Sequence, residues 1–302
     1  MDIKTDLIIE AANLLEKQKK GYTLNTTKSN FGFTKTVVQV KTKEASQFLN
    51  RKKGYYITLD TNSEYTQNVT VKNNIALELK SAIVELMHLC KIEHAKKVLV
   101  VGLGNKQMVS DSLGPKVCDK ILITRHIKEV IKEVREELNS ISAIATGVLG
   151  TTGIETANIV KAVVAEVKPD LVMLIDTLST VETKRIATSF QITNTGIVPG
   201  GGIGNHRTAI NKNVLGVPLI VIGVPLVVYA YSMCREVIEK VTGNLKNFDE
   251  YESKLKRVAS GMLGDLVVTI KDIDQVVEHC AEIIALSINM AINPNVNFDN
   301  FN

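Results

Sequence analysis

Two aspartates follow strand-like apolar runs in this 302-residue sequence, and a pair of carboxylates can divide general acid and general base work. Asp111 lies in the segment 102–115, after the apolar run 98–101 and before a Gly-Pro pair that suits the first turn of a helix. Asp176 closes a second apolar run, 171–175. Because ligands bind at the carboxyl ends of strands in open α/β sheets, the two carboxylates are expected to meet in one cleft. Capping of the following turn explains either residue alone, but the pair favours chemistry.

A glycine-rich segment supplies candidate hydrogen-bond donors. Five of the 19 glycines fall within residues 196–205, after a third strand-like run. Glycines let backbone N–H groups approach a ligand, so this segment is a candidate to stabilise a developing oxyanion. Capping of a helix is the alternative explanation for Glu155, and a surface position is the alternative for His206. The candidate substrate-binding and oxyanion residues are Gly200, Gly201, Gly202, Gly204, Asn205, Glu155 and His206.

Strands and helices alternate along most of the chain, which is typical of a sheet with helices on both faces. The predicted strands are 34–40, 55–59, 97–102, 141–148, 170–175, 187–193 and 217–224. The predicted helices are 6–20, 72–94, 115–138, 153–167, 226–242, 248–260 and 272–292. The predicted fold class is therefore α/β, a three-layer sandwich with a mostly parallel sheet and an N-terminal strand-containing extension. We expect the extension to cover 7–70, the α/β core 71–293 and a frayed tail 294–302.

Composition excludes several classes of function. The net charge of +4 is modest, Trp is absent and the basic clusters lack interleaved aromatic residues, so direct nucleic-acid binding is not expected. The sequence lacks a long uncharged apolar run, and we expect neither a membrane span nor a signal peptide. Four widely spaced cysteines without metal-ligand spacing predict reduced thiols in a cytoplasmic protein, with no metal and no cofactor.

Several motifs, in the same order along the chain, resemble the germination protease family of spore-forming bacteria. The resemblance covers about residues 5–291 and is far more specific than a lone glycine pattern. The segment before Asp111 departs from the family, because Lys-Gln-Met-Val-Ser replaces an aromatic residue and a Thr-Pro pair. The matching motifs are GLGN…DSLGP from Gly102, TTGIET from Thr151, IDTL from Ile175, TGI…PGGGIGN from Thr195, IGVP from Ile222 and VTIKDID from Val268.

This resemblance implies a specific activity. The family comprises atypical aspartic endopeptidases, similar in fold to the hydrogenase-maturation peptidases, which degrade small acid-soluble spore proteins during germination. Its two catalytic aspartates match Asp111 and Asp176. The resemblance further implies a homotetramer in the forespore or spore core, made as a zymogen. By the same match the processed bond would be Asp6–Leu7, which leaves a propeptide of residues 1–6, shorter than is usual in the family.

Three other interpretations stay open at this stage. Asp111, Asp176 and His206 are possible ligands of a divalent metal in a peptidase of the hydrogenase-maturation type. The Gly102-Leu103-Gly104 turn is a possible phosphate loop of a nucleotide-binding protein, although it lacks the third glycine of the usual pattern. A third possibility is a peptidase-like binding module without activity, which the presence of both aspartates disfavours.

Overall fold

A computed structural model of the chain describes residues 5–13, 21–61, 68–130, 138–200, 208–242 and 266–296, together with residues 254, 257 and 298. Its strands are β1 (Tyr22–Lys28), β2 (Thr34–Val40), β3 (Gly54–Asp60), β4 (Lys97–Leu103), β5 (Ser140–Gly147), β6 (Leu171–Thr180), β7 (Ser189–Thr193), β8 (Leu219–Tyr229) and β9 (Val267–Val268).

Helices connect most of these strands, and two short 3₁₀ turns lie at Val109–Asp111 and Thr183–Arg185. Asn68 begins the long helix α3 by accepting hydrogen bonds from the N–H groups of Thr70 and Val71. The α-helices are α1 (Ile8–Asn13), α2 (Lys43–Phe48), α3 (Val69–Leu89), α4 (Leu113–Lys120), α5 (Arg125–Val130), α6 (Leu149–Thr152), α7 (Thr156–Val167), α8 (Lys212–Leu215), α9 (Ala230–Thr242) and α10 (Ile273–Ile292).

All of these strands belong to one sheet, in the order β1-β2-β3-β7-β8-β6-β4-β5, with β9 beside β8. The neighbours β8, β6, β4 and β5 are parallel, whereas β1, β2, β3 and β7 continue the sheet through antiparallel pairs. The α/β class is confirmed. The sheet is mixed, and its parallel part is confined to the four strands that carry or flank the candidate aspartates.

Alternate residues of the strands face two separate cores, as the pleat of a sheet requires. On one face, Met173 and Ile175 of β6 pack with residues of α3, α4 and α10. On the other face, Val172 and Leu174 pack with residues of α7 and α8. Helices therefore cover both faces, which confirms the three-layer arrangement.

Helix α10 lies within the first of these cores, although among the described residues it alone is long and apolar enough to cross a membrane. It packs against α3 and α4, and Ser287 donates a hydrogen bond to the carbonyl of Ala76. None of the four cysteines, all of which the structure describes, forms a disulfide, and the one at position 280 of this helix is fully buried.

One predicted helix and two predicted strands differ from those observed, and a further predicted helix is not described. The predicted helix 115–138 is interrupted after α4, because the Thr124 hydroxyl donates to the carbonyl of Asn139 and accepts from the N–H of Ile141, which binds the chain to β5. The strands predicted to end at 175 and 224 continue to Thr180 and Tyr229 as a parallel pair. The predicted helix 248–260 lies almost wholly outside the described residues.

Candidate active site

Asp176 lies in the sixth position of β6 and is only 6% exposed. Alternation along the strand places its side chain on the same face as Val172 and Leu174, above the core that α7 and α8 cover. Its Oδ1 accepts a hydrogen bond of 2.9 Å from the N–H of Thr177. The carboxylate thus lies within β6, one residue beyond the point where the pairing of β4 with β6 ends.

Asp111 ends the 3₁₀ turn Val109–Asp111 and is half-buried. The N–H of Asn105 is 3.0 Å from the Asp111 carbonyl oxygen and 2.9 Å from its Oδ2, which closes the loop into a compact turn. Gly104 makes this closure possible, since its φ is +105° and a Cβ there would lie 2.1 Å from the Asp111 carbonyl oxygen.

The two aspartates lie at one edge of the sheet. The turn that carries Asp111 contacts β6, and helix α4, which follows this turn, also contacts β6. A Cβ at Gly114 would lie 2.7 Å from the carbonyl oxygen of Ile175, the residue before Asp176, so only glycine allows this approach. The tertiary structure therefore brings the turn of Asp111 against the strand of Asp176, although the two residues are far apart in sequence.

The segment that begins at Thr5 covers this edge. Asp6 donates its N–H to the carbonyl of Ser179 at 3.0 Å, and its Oδ2 accepts from both the N–H and the hydroxyl of Ser179 at 2.7 Å each. Leu7 is fully buried and packs against Leu178. The bond predicted as the processing site, Asp6–Leu7, is thus held three residues beyond Asp176 along β6.

Glu10 anchors the same segment. Its buried carboxylate accepts hydrogen bonds from the hydroxyls of Thr5 and Thr180 and from the N–H groups of Val181 and Glu182. Burial raises the pKa of Glu10, although the four hydrogen bonds act in the opposite direction. The side chain of Arg185 lies 3.8 Å away and also pairs with Asp60 at 2.6 Å.

Two residues of this region are missed by the sequence analysis. Ser179 and Gln191 are buried polar residues of β6 and β7, and their contact partners lie more than 170 residues away in sequence. The amide of Gln191 spans the Asp6–Leu7 peptide, since its Nε2 donates to the Asp6 carbonyl at 2.9 Å and its Oε1 accepts from the N–H of Ile8 at 2.7 Å. The only signal in the sequence is polarity at core positions, which does not identify a partner.

The other predicted site residues are only partly described. Glu155 precedes α7, and within the described part of the chain its carboxylate accepts from the N–H of Thr208 at 3.3 Å rather than from the first turn of that helix. Gly200 has a φ of +63° and is half-buried. The remaining candidates lie outside the described residues: Gly201, Gly202, Gly204, Asn205 and His206.

The glycine-rich segment starts at the opposite edge of the sheet from Asp176. The strand before it, β7, is antiparallel to β8 and therefore ends near the amino ends of the parallel strands. Ile197 then pairs with Ile210 through two hydrogen bonds of 2.7 and 2.9 Å and packs close to Leu178. The chain thus returns toward the candidate site before the residues that the structure does not describe.

The described residues contain no group of three His, Cys, Asp or Glu side chains that could hold a metal ion. Of the three possible metal ligands predicted from the sequence, Asp111 and Asp176 lie within the described residues and His206 lies outside them. The fold is that of an α/β protein, with the turn of Asp111 against the strand of Asp176 and a peptide segment bound further along that strand, an arrangement typical of an enzyme that acts on peptides.

Comparison with known proteins gives the family. Residues 5–263 match the family model described as germination protease. The germination protease of Clostridium tetani is 38% identical over 100% of this chain and 99% of its own length, and that of Caldanaerobacter subterraneus is 37% identical over 97% and 95%. The chain belongs to the germination protease family, and it is a peptidase that acts on protein substrates.

A solved structure is also similar to part of the chain. The [NiFe] hydrogenase maturation protease HycI from Thermococcus kodakarensis aligns with a TM-score of 0.35 and 17% identity, over 65% of this chain and 94% of that one.

Proposed function

We propose that this peptidase degrades small acid-soluble spore proteins in the core of the germinating spore, with Asp111 and Asp176 as its general acid and base. The observation that carries the proposal is the contact between the turn of Asp111 and the strand of Asp176, at the edge where the N-terminal segment is bound. Membership of the family supports the substrate class, the site in the spore core and assembly as a homotetramer.

The chemistry needs both carboxylates. Like charges at short range disfavour simultaneous ionisation, so one group stays charged while the other keeps a proton, and the pair titrates as a unit. The charged carboxylate takes a proton from water, whose oxygen attacks the peptide carbonyl carbon. The protonated carboxyl then supplies the proton that the leaving amine needs as the C–N bond breaks. Such acid–base assistance contributes about 10²–10⁴-fold to the rate.

We also propose that the chain is made as a zymogen that cuts its own Asp6–Leu7 bond. The support is the position of that bond beside β6, where Ser179 holds Asp6 and Leu178 contacts the side chain of Leu7. While the segment stays there, it covers the edge of the strand that carries Asp176. Loss of residues 1–6 would release this edge to a protein substrate.

Cleavage of a small acid-soluble spore protein by the purified chain tests the proposal. We expect site-specific fragments that persist in EDTA and disappear in both Asp111→Asn and Asp176→Asn. Asp119→Asn is the matched control, because that carboxylate is exposed on α4 and pairs with Lys106 at 2.8 Å. Near-normal cleavage in either site variant contradicts the two-aspartate mechanism, and loss of cleavage in EDTA assigns the reaction to a metal.

The same samples test the zymogen and the assembly. Mass spectrometry of the intact chain is expected to show the loss of residues 1–6, and light scattering is expected to give the mass of four chains. A stable full-length mass under conditions in which the substrate is cut contradicts self-processing at Asp6–Leu7.

A further inference from the structure

The second half of β6 has an edge that no strand covers among the described residues. β4 pairs with β6 only as far as Ile175, whereas β8 follows it to Thr180. Asp6 fills part of this edge, through the 3.0 Å hydrogen bond from its N–H to the Ser179 carbonyl. An extended peptide added to the edge of a sheet is a common mode of peptide binding, in which main-chain bonds give affinity and side-chain pockets give specificity.

Gln191 lies in the same row of the sheet as Asp176. Gln191 of β7 is paired with Gly223 of β8, and Gly223 is paired with Asp176 of β6. Residues aligned across neighbouring strands have their side chains on the same face. Two strand spacings, about 9.6 Å, separate the two backbones, and the residue between them has no side chain. The side chain of Leu178 lies over Gly223, between the amide and the carboxylate, and Leu7 packs against Leu178.

The N-terminal segment reaches this row at Gln191. The oxygen of the Asp6–Leu7 bond is the Asp6 carbonyl oxygen, which accepts from Gln191 Nε2 at 2.9 Å. The side chain before this bond is a carboxylate with two donors from Ser179, and the side chain after it is apolar and fully buried. Each group that distinguishes this bond from its neighbours therefore has its own partner on β6 or β7.

We propose that Gln191 is a catalytic residue of the peptidase, and that Ser179 is the residue that selects an acidic side chain before the cleaved bond. Gln191 Nε2–H donates to the carbonyl oxygen of that bond, which becomes an oxyanion when water attacks, and it returns unchanged when the C–N bond breaks. Ser179 binds the acidic side chain through its N–H and hydroxyl. The inference rests on the proposed function of Asp111 and Asp176, and it assigns the oxyanion role to Gln191 instead of to the glycine-rich segment.

The role of Ser179 is tested with two peptides that differ only in Asp or Asn before the cleaved bond. The full chain is used, and its intact mass is recorded so that loss of residues 1–6 is followed in the same samples. We expect the ratio of kcat/KM for Asp over Asn to fall about tenfold or more in Ser179→Ala, since a lost hydrogen bond to a charged group has this size. Ser179→Thr, which keeps the hydroxyl, is expected to preserve the ratio.

Thr180→Val is the matched control for Ser179. The Thr180 hydroxyl binds Glu10 and not Asp6, so this variant loosens the segment while the acidic subsite stays intact. We expect an unchanged ratio. An unchanged ratio in Ser179→Ala overturns the specificity role, and an equal fall in Thr180→Val shows that general loosening of the segment is responsible.

The role of Gln191 is tested separately, by measuring kcat in variants of this residue. Gln191→Met keeps the length of the side chain but cannot donate, and loss of one oxyanion donor lowers kcat by about 10²–10³-fold. Gln191→Glu retains an acceptor for the N–H of Ile8 and serves as the second variant if Gln191→Met does not fold. Gln39→Met is the control, because Gln39 bonds to Tyr55 on the antiparallel part of the sheet.

The outcomes separate this inference from the proposed function. A wild-type chain that cuts neither peptide overturns both. The catalytic role of Gln191 is overturned, while the proposed function stands, if the wild-type chain cuts the Asp peptide and both Gln191→Met and Gln191→Glu keep a kcat within a few-fold of the control. A fall in kcat with an unchanged KM supports it, since a residue that only anchors the segment would not slow the reaction of a bound peptide.

Discussion

The two halves of β6 differ in what lies on either side of them. Residues 171–175 are flanked by parallel strands on both sides, and all five are buried and apolar. Residues 176–180 keep β8 on one side, but on the other side they meet the segment that begins at Thr5. Three of these five residues carry a hydroxyl and a fourth is Asp176.

This difference separates scaffold from site within a single strand. The first half is fixed by ladder hydrogen bonds and by two cores, so its residues are determined by packing. The second half presents backbone and side-chain groups to the N-terminal segment, which is not a strand of the sheet. A ligand-binding edge requires such a replaceable neighbour, because a strand paired on both sides cannot receive a peptide.

The largest expected effect concerns the two aspartates of the site. Asp111→Asn and Asp176→Asn are each expected to lower the rate of cleavage about 10²–10⁴-fold. The double variant is expected to be no slower than the less active of the two single variants, because the effects of groups that act as a unit are not additive. The rate of peptide cleavage is measured for each variant, and circular dichroism checks that each variant is folded. Multiplied losses in the double variant contradict a shared role.

The next effect contrasts the scaffold with the bound segment. Leu174→Ala creates a cavity in the first half of β6 and is expected to lower the free energy of unfolding by about 2–5 kcal/mol. Leu7→Ala is expected to change global unfolding much less and to speed hydrogen exchange at the N–H of Ile8, because the segment opens separately. Urea denaturation and exchange measure both. Equal losses of global stability would make the segment part of the scaffold.

A smaller effect concerns the helix that follows Asp111. Gly114→Ala places a Cβ 2.3 Å from the Leu103 carbonyl oxygen and is expected to cost about 1–3 kcal/mol, as overpacking does. It should also lower cleavage, since α4 must shift where the turn of Asp111 meets β6. Gly150→Ala, with open space around the new methyl group, is the control and is expected to be neutral. Thermal unfolding of both variants decides the comparison.

The smallest effect is the pH dependence of the segment's anchor. Because the pKa of Glu10 is raised in the folded chain, its stabilising contribution is complete below the ordinary value of 4.5 and is lost as the pH rises through the raised value. Unfolding free energies of wild type and Glu10→Gln across pH 4–7 are expected to diverge, with wild type losing stability relative to the variant. A wild type that gains stability over this range would show that its four hydrogen bonds outweigh burial.

The sequence predicts most of the scaffold because local pattern and tertiary environment agree there. The runs at β4 and at the first half of β6 are dominated by apolar residues, and the strand 34–40 is observed with the predicted bounds. The prediction stops short where polarity rises, as at residues 176–180, because strand pairing there depends on β8 and not on hydrophobic alternation.

The sequence by itself determined the α/β class and the position of Asp111 in the loop after a parallel strand, since both follow from local apolar runs, and it placed Asp176 directly after an apolar run. Only the tertiary structure decided that β7 is antiparallel, that Gln191 falls in line with Asp176, and that Ser179 holds Asp6. These relations depend on strand order and register between residues far apart in the chain. Long-range pairing is selected by the packing of the whole sheet, so no local pattern encodes it.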